Sequence, residues 1–194
     1  LEGLKDLAPI EYNLDNQSAF RSMVEALPEM DEAERALTLE HLRVRYEGEI
    51  AYVDDRIGAL LDHAGALGLL DDALVVFWTD HGEQIFEHGT LGHDLEIYDE
   101  ENRAVAAFWS PNLLPGEWSG ATLHQDIWPT TLRLLELDVP AIWTGALVGD
   151  RDASRPLFAL RSRGEDTVHA ATLGDRKLMY WWTGERAFFH LDED

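Results

Sequence analysis

Three short stretches hold the side chains best suited to metal and acid–base chemistry: Thr79-Asp80-His81-Gly82-Glu83, Glu87-His88-Gly89 and Gly92-His93-Asp94. A carboxylate followed directly by an imidazole offers two kinds of donor to a divalent cation. Gly82 lets the backbone turn sharply behind them. His93 follows His81 by twelve residues, in a glycine-containing loop able to fold back over a bound ion. Plainer assignments stand beside these. An Asp-His-Gly at a strand end also serves as a capped turn, and a loop histidine is ordinarily solvated. His88 reads as part of a turn. Glu83 suits either a hydrogen bond to a metal ligand or a helix N-terminus. Asp126, close to His124, reads as a helix cap. Arg103 reads as an ion-pair partner of Glu100 or Asp99, and His41, His63 and His169 as structural.

These residues need elements to position them. Asp31 with Glu34 resembles a helix-capping box. Tyr46, Ile50, Val53, Ile57, Leu60 and Ala64 recur at three- and four-residue steps, which predicts one apolar stripe on a long helix from about Glu32 to Leu67. Gly65 and Gly68 mark its end. After a turn at Leu69–Asp72, Ala73–Thr79 is a continuous apolar run. It predicts a strand buried on both faces of a parallel sheet, with Asp80 and His81 at its carboxyl end, where open α/β sheets bind ligands. Ala104–Trp109 predicts a second such strand and Asp126–Leu137 a second helix. Residues 1–30 read as a loop-rich lead-in with a short helix at Ser18–Ala26. From Arg155 on, four short runs separated by Gly174-Asp175 and Gly184-Glu185 predict an antiparallel meander. The domain boundary is expected near residue 145, within Val139–Ser154. Trp181 and Trp182 fit either a sugar-binding face or packing of the small sheet.

Composition narrows the function classes. Across 194 residues, 38 acidic side chains face 15 basic ones, for a net charge of −23. Such a field repels phosphate backbones and anionic lipid and attracts divalent cations, so a basic-patch nucleic-acid binder is excluded. No apolar run is long enough to span a membrane. Cysteine is absent, which removes disulfides, thiolate zinc sites and a cysteine nucleophile from this chain.

Several segments in order resemble the sulfatases of the alkaline phosphatase superfamily. They are Glu47–Leu61, Leu69–Glu83 with its Thr79-Asp80-His81-Gly82-Glu83, Glu87-His88-Gly89, Gly92-His93 and Leu95–Glu100. Arg103-Ala104-Val105, Asp126-Ile127-Trp128-Pro129-Thr130-Thr131-Leu132 and Phe188–Asp192 continue the series. The resemblance covers about residues 40 to 194. It implies an α/β fold: part of an alkaline-phosphatase-like sheet with flanking helices in residues 1–145, then a small antiparallel subdomain in 146–194. It implies that Asp80 and His81 ligate one divalent metal ion (Ca, Mn, Mg or Zn). It also implies that His93 contacts the sulfuryl or phosphoryl oxygens and serves in leaving-group protonation. The family's Cys-x-Pro-x-Arg nucleophile motif, or the Ser or Thr of its phosphatase branch, has no counterpart here. The expectation is therefore the C-terminal portion of a metal-dependent sulfate-ester hydrolase, inactive without the N-terminal part that carries the nucleophile. A phosphoesterase or phosphoryl transferase on the same scaffold is the nearest alternative. A non-catalytic module that binds a cation or partner is the other. Truncated strand edges make self-association an expectation as well.

Overall fold

The computed structural model describes residues 17–93, 96–118, 120–150, 152, 154–164 and 166–193. Residues 1–16 of the predicted lead-in, and Asp94 and Leu95 of the predicted site loop, lie outside the described residues. The chain divides into two compact units, Leu1–Leu60 with Gln84–Gly92, and Leu61–Glu83 with His93–Asp194.

The first unit contains α1 (Gln17–Ala26), a 3₁₀ turn (Leu27–Glu29), most of α2 (Glu32–Ala66) and a hairpin of β2 (Gln84–Ile85) and β3 (Leu91–Gly92). The predicted α2 forms without a break. Asp31 Oδ1 accepts the Glu34 amide at 2.9 Å, which satisfies one of the open donors at the helix start. At the other end the Leu69 amide donates to the Ala64 carbonyl and the Gly68 amide to that of Gly65, with Gly68 at φ +71°. This Schellman closure needs a residue tolerant of the left-handed region. No α2 residue is buried, and Ile50 of the predicted stripe is 55% exposed. The three- and four-residue repeat specified the helix, but it carries no information about whether a neighbour covers the face it creates.

The second unit contains β1 (Val75–Trp78), α3 (Asp99–Asn102), β4 (Ala106–Trp109), α4 (Ile127–Leu134) and strands β5 (Leu157–Arg163), β6 (Asp166–Leu173), β7 (Arg176–Trp181) and β8 (Arg186–His190). Both apolar runs form strands, but β1 pairs with β4 antiparallel, Val75 opposite Trp109 and Trp78 opposite Ala106. Phe77 and Trp78 stay partly exposed, so burial on both faces of a parallel sheet is not what the described residues show. An apolar run reports a demand for burial and is silent on strand direction. The predicted second helix is shorter, ending at Leu134.

The C-terminal meander forms as one antiparallel sheet in the order β5-β6-β7-β8. Its two faces differ because strand side chains alternate. On the inner face Val168, Ala170 and Met179 are buried with Ile97, and Tyr98, Ala159, Trp181 and Phe189 pack around them. Trp181 therefore packs the sheet and also donates from Nε1 to Glu96 Oε2 at 2.8 Å. On the outer face, register aligns Phe158, Ala171, Leu178 and Phe188 in one row. Phe158 there is 72% exposed.

Burial lifts the Glu96 carboxyl above the ordinary carboxylate range, against the lowering effect of its bond from Trp181. The folded pKa thus exceeds the unfolded one. The resulting stabilisation is complete below the unfolded pKa and is lost as pH rises through the folded value. Glu96→Gln keeps an acceptor for Trp181 and removes the titration. Urea unfolding from about pH 3 to about pH 7 is expected to show the two proteins equally stable at the acid end and the variant more stable at neutral pH. A parent that gains on the variant with rising pH contradicts this.

Candidate functional site

The site is built on the end of β1. Thr79 is tied to the segment before β4 twice: its amide donates to the Val105 carbonyl, and its Oγ1 accepts the Val105 amide, both at 3.0 Å. His124 Nε2 meets the Thr79 carbonyl at 2.9 Å. The strand end is thus fixed just before the chain turns out to present Asp80 and His81.

Gly82 makes that turn possible. Its amide donates to the Glu101 carbonyl of α3 at 2.8 Å. A Cβ at this position would stand 2.1 Å from the Glu100 carbonyl oxygen. The backbone therefore approaches α3 more closely than any side chain permits.

Asp80 and His81 project outward beside each other. The Asp80 side chain is 87% exposed, and its Oδ2 lies 3.6 Å from His81 Nε2. Asp80 Oδ1 accepts the His81 amide at 3.1 Å. Hydrogen bonding to its own backbone amide, and next the positive charge of His81 when its ring is protonated, hold the Asp80 carboxyl below its usual range. His81 Nδ1 lies 2.8 Å from the Gly82 carbonyl, which accepts a proton only from the Nδ1–H tautomer. In the neutral ring, the form that ligates a metal, this bond puts the Nε2 lone pair on the side of Asp80, the arrangement seen when a backbone carbonyl orients a ligating histidine.

His93 joins them. Its ring lies 4.3 Å from that of His81, centroid to centroid. Its Nδ1 is 3.1 Å from Glu83 Oε2. Gln84 pairs with Gly92 across the hairpin, so Glu83 and His93 are the next residues outward from the last paired rung. All three candidates, Asp80, His81 and His93, thus lie together. Glu83 binds His93 and starts no helix, and no local pattern in the sequence distinguished that role from a cap. The anchor from His124 was likewise invisible, because Thr79 stands 45 residues away.

The other candidates divide as follows. Asp126 is buried, and its two oxygens accept the Leu123 amide at 2.9 Å and the Ala146 amide at 2.8 Å. The first bond closes the start of the 3₁₀ turn His124–Asp126 that runs into α4, a local capping contact, and the second ties in the loop at Ala146. Arg103 pairs with Asp99 at 3.5 Å. His88 is exposed in the turn between β2 and β3.

The donor set fits part of a metal shell. Asp80 oxygen and His81 Nε2 suit a divalent ion, and they are exposed and adjacent. Among the described residues no group of three or more His, Cys, Asp or Glu converges to complete a cage.

This arrangement, an Asp-His pair at a strand end facing a loop histidine, sits in a fold shared with hydrolases of the alkaline phosphatase superfamily. A phosphonate monoester hydrolase from Silicibacter pomeroyi superposes with TM-score 0.68 at 22% identity, over 81% of this chain and 36% of that one. A protein solved with its substrate D-glucosamine-2-N,6-O-disulfate superposes with TM-score 0.69 at 19% identity, over 93% and 39%. The sulfatase family model matches residues 10–137, and the chain belongs to the sulfatase family. An arylsulfatase of Clostridium perfringens is 27% identical over 80% of this chain and 35% of its own length. Human N-acetylgalactosamine-6-sulfatase is 29% identical over 73% and 30%. The chain thus spans about a third of the length of these relatives.

Gly82→Ala is expected to destabilise the protein by about 1–3 kcal/mol in urea unfolding, as overpacking against fixed atoms does. Unchanged stability would mean that Gly82 and α3 are not in contact.

Proposed function

We propose that these residues are the metal-bearing C-terminal portion of a hydrolase that cleaves sulfate esters. The observation that carries this is the juxtaposition of Asp80, His81 and His93 at the end of β1. Sulfatase-family proteins are sulfuric ester hydrolases, and the family generally binds a divalent metal ion. Asp80 and His81 would hold that ion, which when bound supplies positive charge toward the ester oxygens. His81 is oriented for this by the Gly82 carbonyl. His93 is engaged at Nδ1 by Glu83, which leaves Nε2, on the far side of the ring, to exchange a proton with a substrate oxygen.

In this proposal the nucleophile and the remaining metal ligands come from a part of the protein outside these 194 residues. The chain spans about a third of the length of the sulfatase relatives, which leaves room for such a part; the missing cysteine suits a non-catalytic module as well. A second proposal shares the site: a phosphate or phosphonate ester in place of the sulfate ester. It rests on the scaffold, since one fold hosts both chemistries. Parallel assays on aryl sulfate, phosphate and phosphonate esters, in a protein supplied with the nucleophile, separate the two. A non-catalytic module would bind cations through its acidic surface alone.

Calorimetric titration with manganese(II) tests the site. Asp80→Ala and His81→Ala should each weaken binding by at least about tenfold, the scale of lost support at a metal centre. Variants that bind like the parent would assign the cation to the general acidic surface and sink the proposal. The 194 residues alone should hydrolyse no aryl sulfate. In a protein supplied with the nucleophile, His93→Ala should lower kcat by about 10²–10⁴, as loss of a general acid does. Turnover by the 194 residues, or an undiminished kcat, refutes these assignments.

A further inference from the structure

We propose that Lys177, on the C-terminal sheet, is a positioning residue for the Asp80–His81 loop, acting through α3. Lys177 is 2% exposed, and its Nζ lies 2.7 Å from Asp99 Oδ1 at the start of α3. An ammonium is taken out of water only when a charged partner is fixed beside it. Lys177 is one of three alternate residues on the inner face of β7, and each engages the segment that leads into α3. Lys177 holds Asp99. Met179 lies in the buried cluster with Ile97. Trp181 binds the Glu96 carboxylate. Residues 177, 179 and 181 thus meet 99, 97 and 96 in antiparallel order.

The apolar contact at Ile97 tolerates small shifts along the strand, because dispersion has no direction. The ion pair does not, and a buried polar pair is best attested as a device that fixes register. Register matters here because α3 carries the carbonyls that shape the site. The Glu101 carbonyl accepts the Gly82 amide, and the Glu100 carbonyl fills the space a side chain on Gly82 would need. A shift of α3 moves the wall against which Gly82 turns, and with it the relation of Asp80 to His81. Glu101 adds a brace inside the segment: it is 4% exposed, and its carboxylate accepts the Glu96 amide at 3.3 Å. The path from Lys177 to the Asp80–His81 loop is therefore Asp99, α3 and Gly82.

The inference rests on the Asp80–His81 site as the functional one, so its test has a readout that needs no metal. Amide hydrogen exchange is followed at Gly82 and at Val168 and Ala170 in β6, in the full chain without metal. Three proteins are compared: the parent, Lys177→Met, and Lys177→Met with Asp99→Asn, which leaves no unpaired buried charge. Manganese(II) affinity is then measured on all three. Both variants should speed Gly82 exchange by about tenfold or more, leave the β6 amides within about twofold, and weaken manganese(II) binding in step. Unchanged exchange at Gly82 overturns the inference. So does exchange that rises equally at Gly82 and in β6, or failure of both variants to fold, since Lys177 would then be serving the sheet alone. Gly82 exchange that rises while manganese(II) affinity holds overturns it too. A parent that binds no manganese(II), with Gly82 still responding to Lys177, upholds the positioning and refutes the metal site instead.

Discussion

The Glu100 carbonyl of a four-residue helix occupies the space where a side chain on Gly82 would stand. That steric fact governs the site. A strand end followed by any other residue would be pushed off α3, and the amide that now donates to Glu101 would need another acceptor. With glycine the backbone closes onto the helix, and the two preceding residues turn outward as neighbours. Thr79 supplies the opposite restraint through its two hydrogen bonds with Val105. Asp80 and His81 lie between two fixed points, which is how exposed side chains on a short loop keep a defined relation without being packed.

The charge of the chain bears on how such a site works. A net charge of −23 draws cations toward the surface and opposes the approach of an anionic ester. Among the described residues, the imidazoles of His81 and His93 stand with the carboxylates of Asp80 and Glu83 there. In the proposed function, a divalent ion held there would be the dominant local charge and would offset this repulsion. The acidic surface and the metal-site proposal are consistent for this reason. The surface alone binds cations weakly and diffusely, and the Asp80–His81 pair would localise one.

Much of this was legible in the sequence, and the failures have one cause. Local signals held: the Asp31 start and Gly68 end of α2, the apolar runs that form β1 and β4, and the turns of the C-terminal meander. The adjacency of Asp80 and His81 was legible because covalent neighbours at a strand end can hardly be elsewhere. What failed depended on distant partners. Strand direction in β1–β4, the exposure of the α2 stripe and the second bond of Asp126, to the Ala146 amide, are set by segments far along the chain. The Lys177–Asp99 pair spans 78 residues, and nothing near either residue marks a buried lysine. Glu83 with His93 is intermediate: a two-rung hairpin joins them, and its strands are too short for alternation to announce.

The distribution of burial within the second unit explains why sheet and site are coupled. The outer face of the meander is open, with Phe158, Leu178 and Phe188 exposed, so it adds little to stability. The favourable burial is concentrated on the inner face, where Ile97 and Tyr98 meet Val168, Ala170, Met179 and Phe189. At about 25 cal/mol per Å² of apolar surface, a few fully covered side chains contribute several kcal/mol, comparable with the whole margin of a small domain. Ile97 and Tyr98 belong to the segment that becomes α3. The sheet therefore cannot bury its inner face without ordering α3, and α3 once ordered presents the carbonyls that Gly82 requires. Formation of the Asp80–His81 loop is in this way a consequence of sheet packing, which is why a residue on β7 can govern a loop it does not touch.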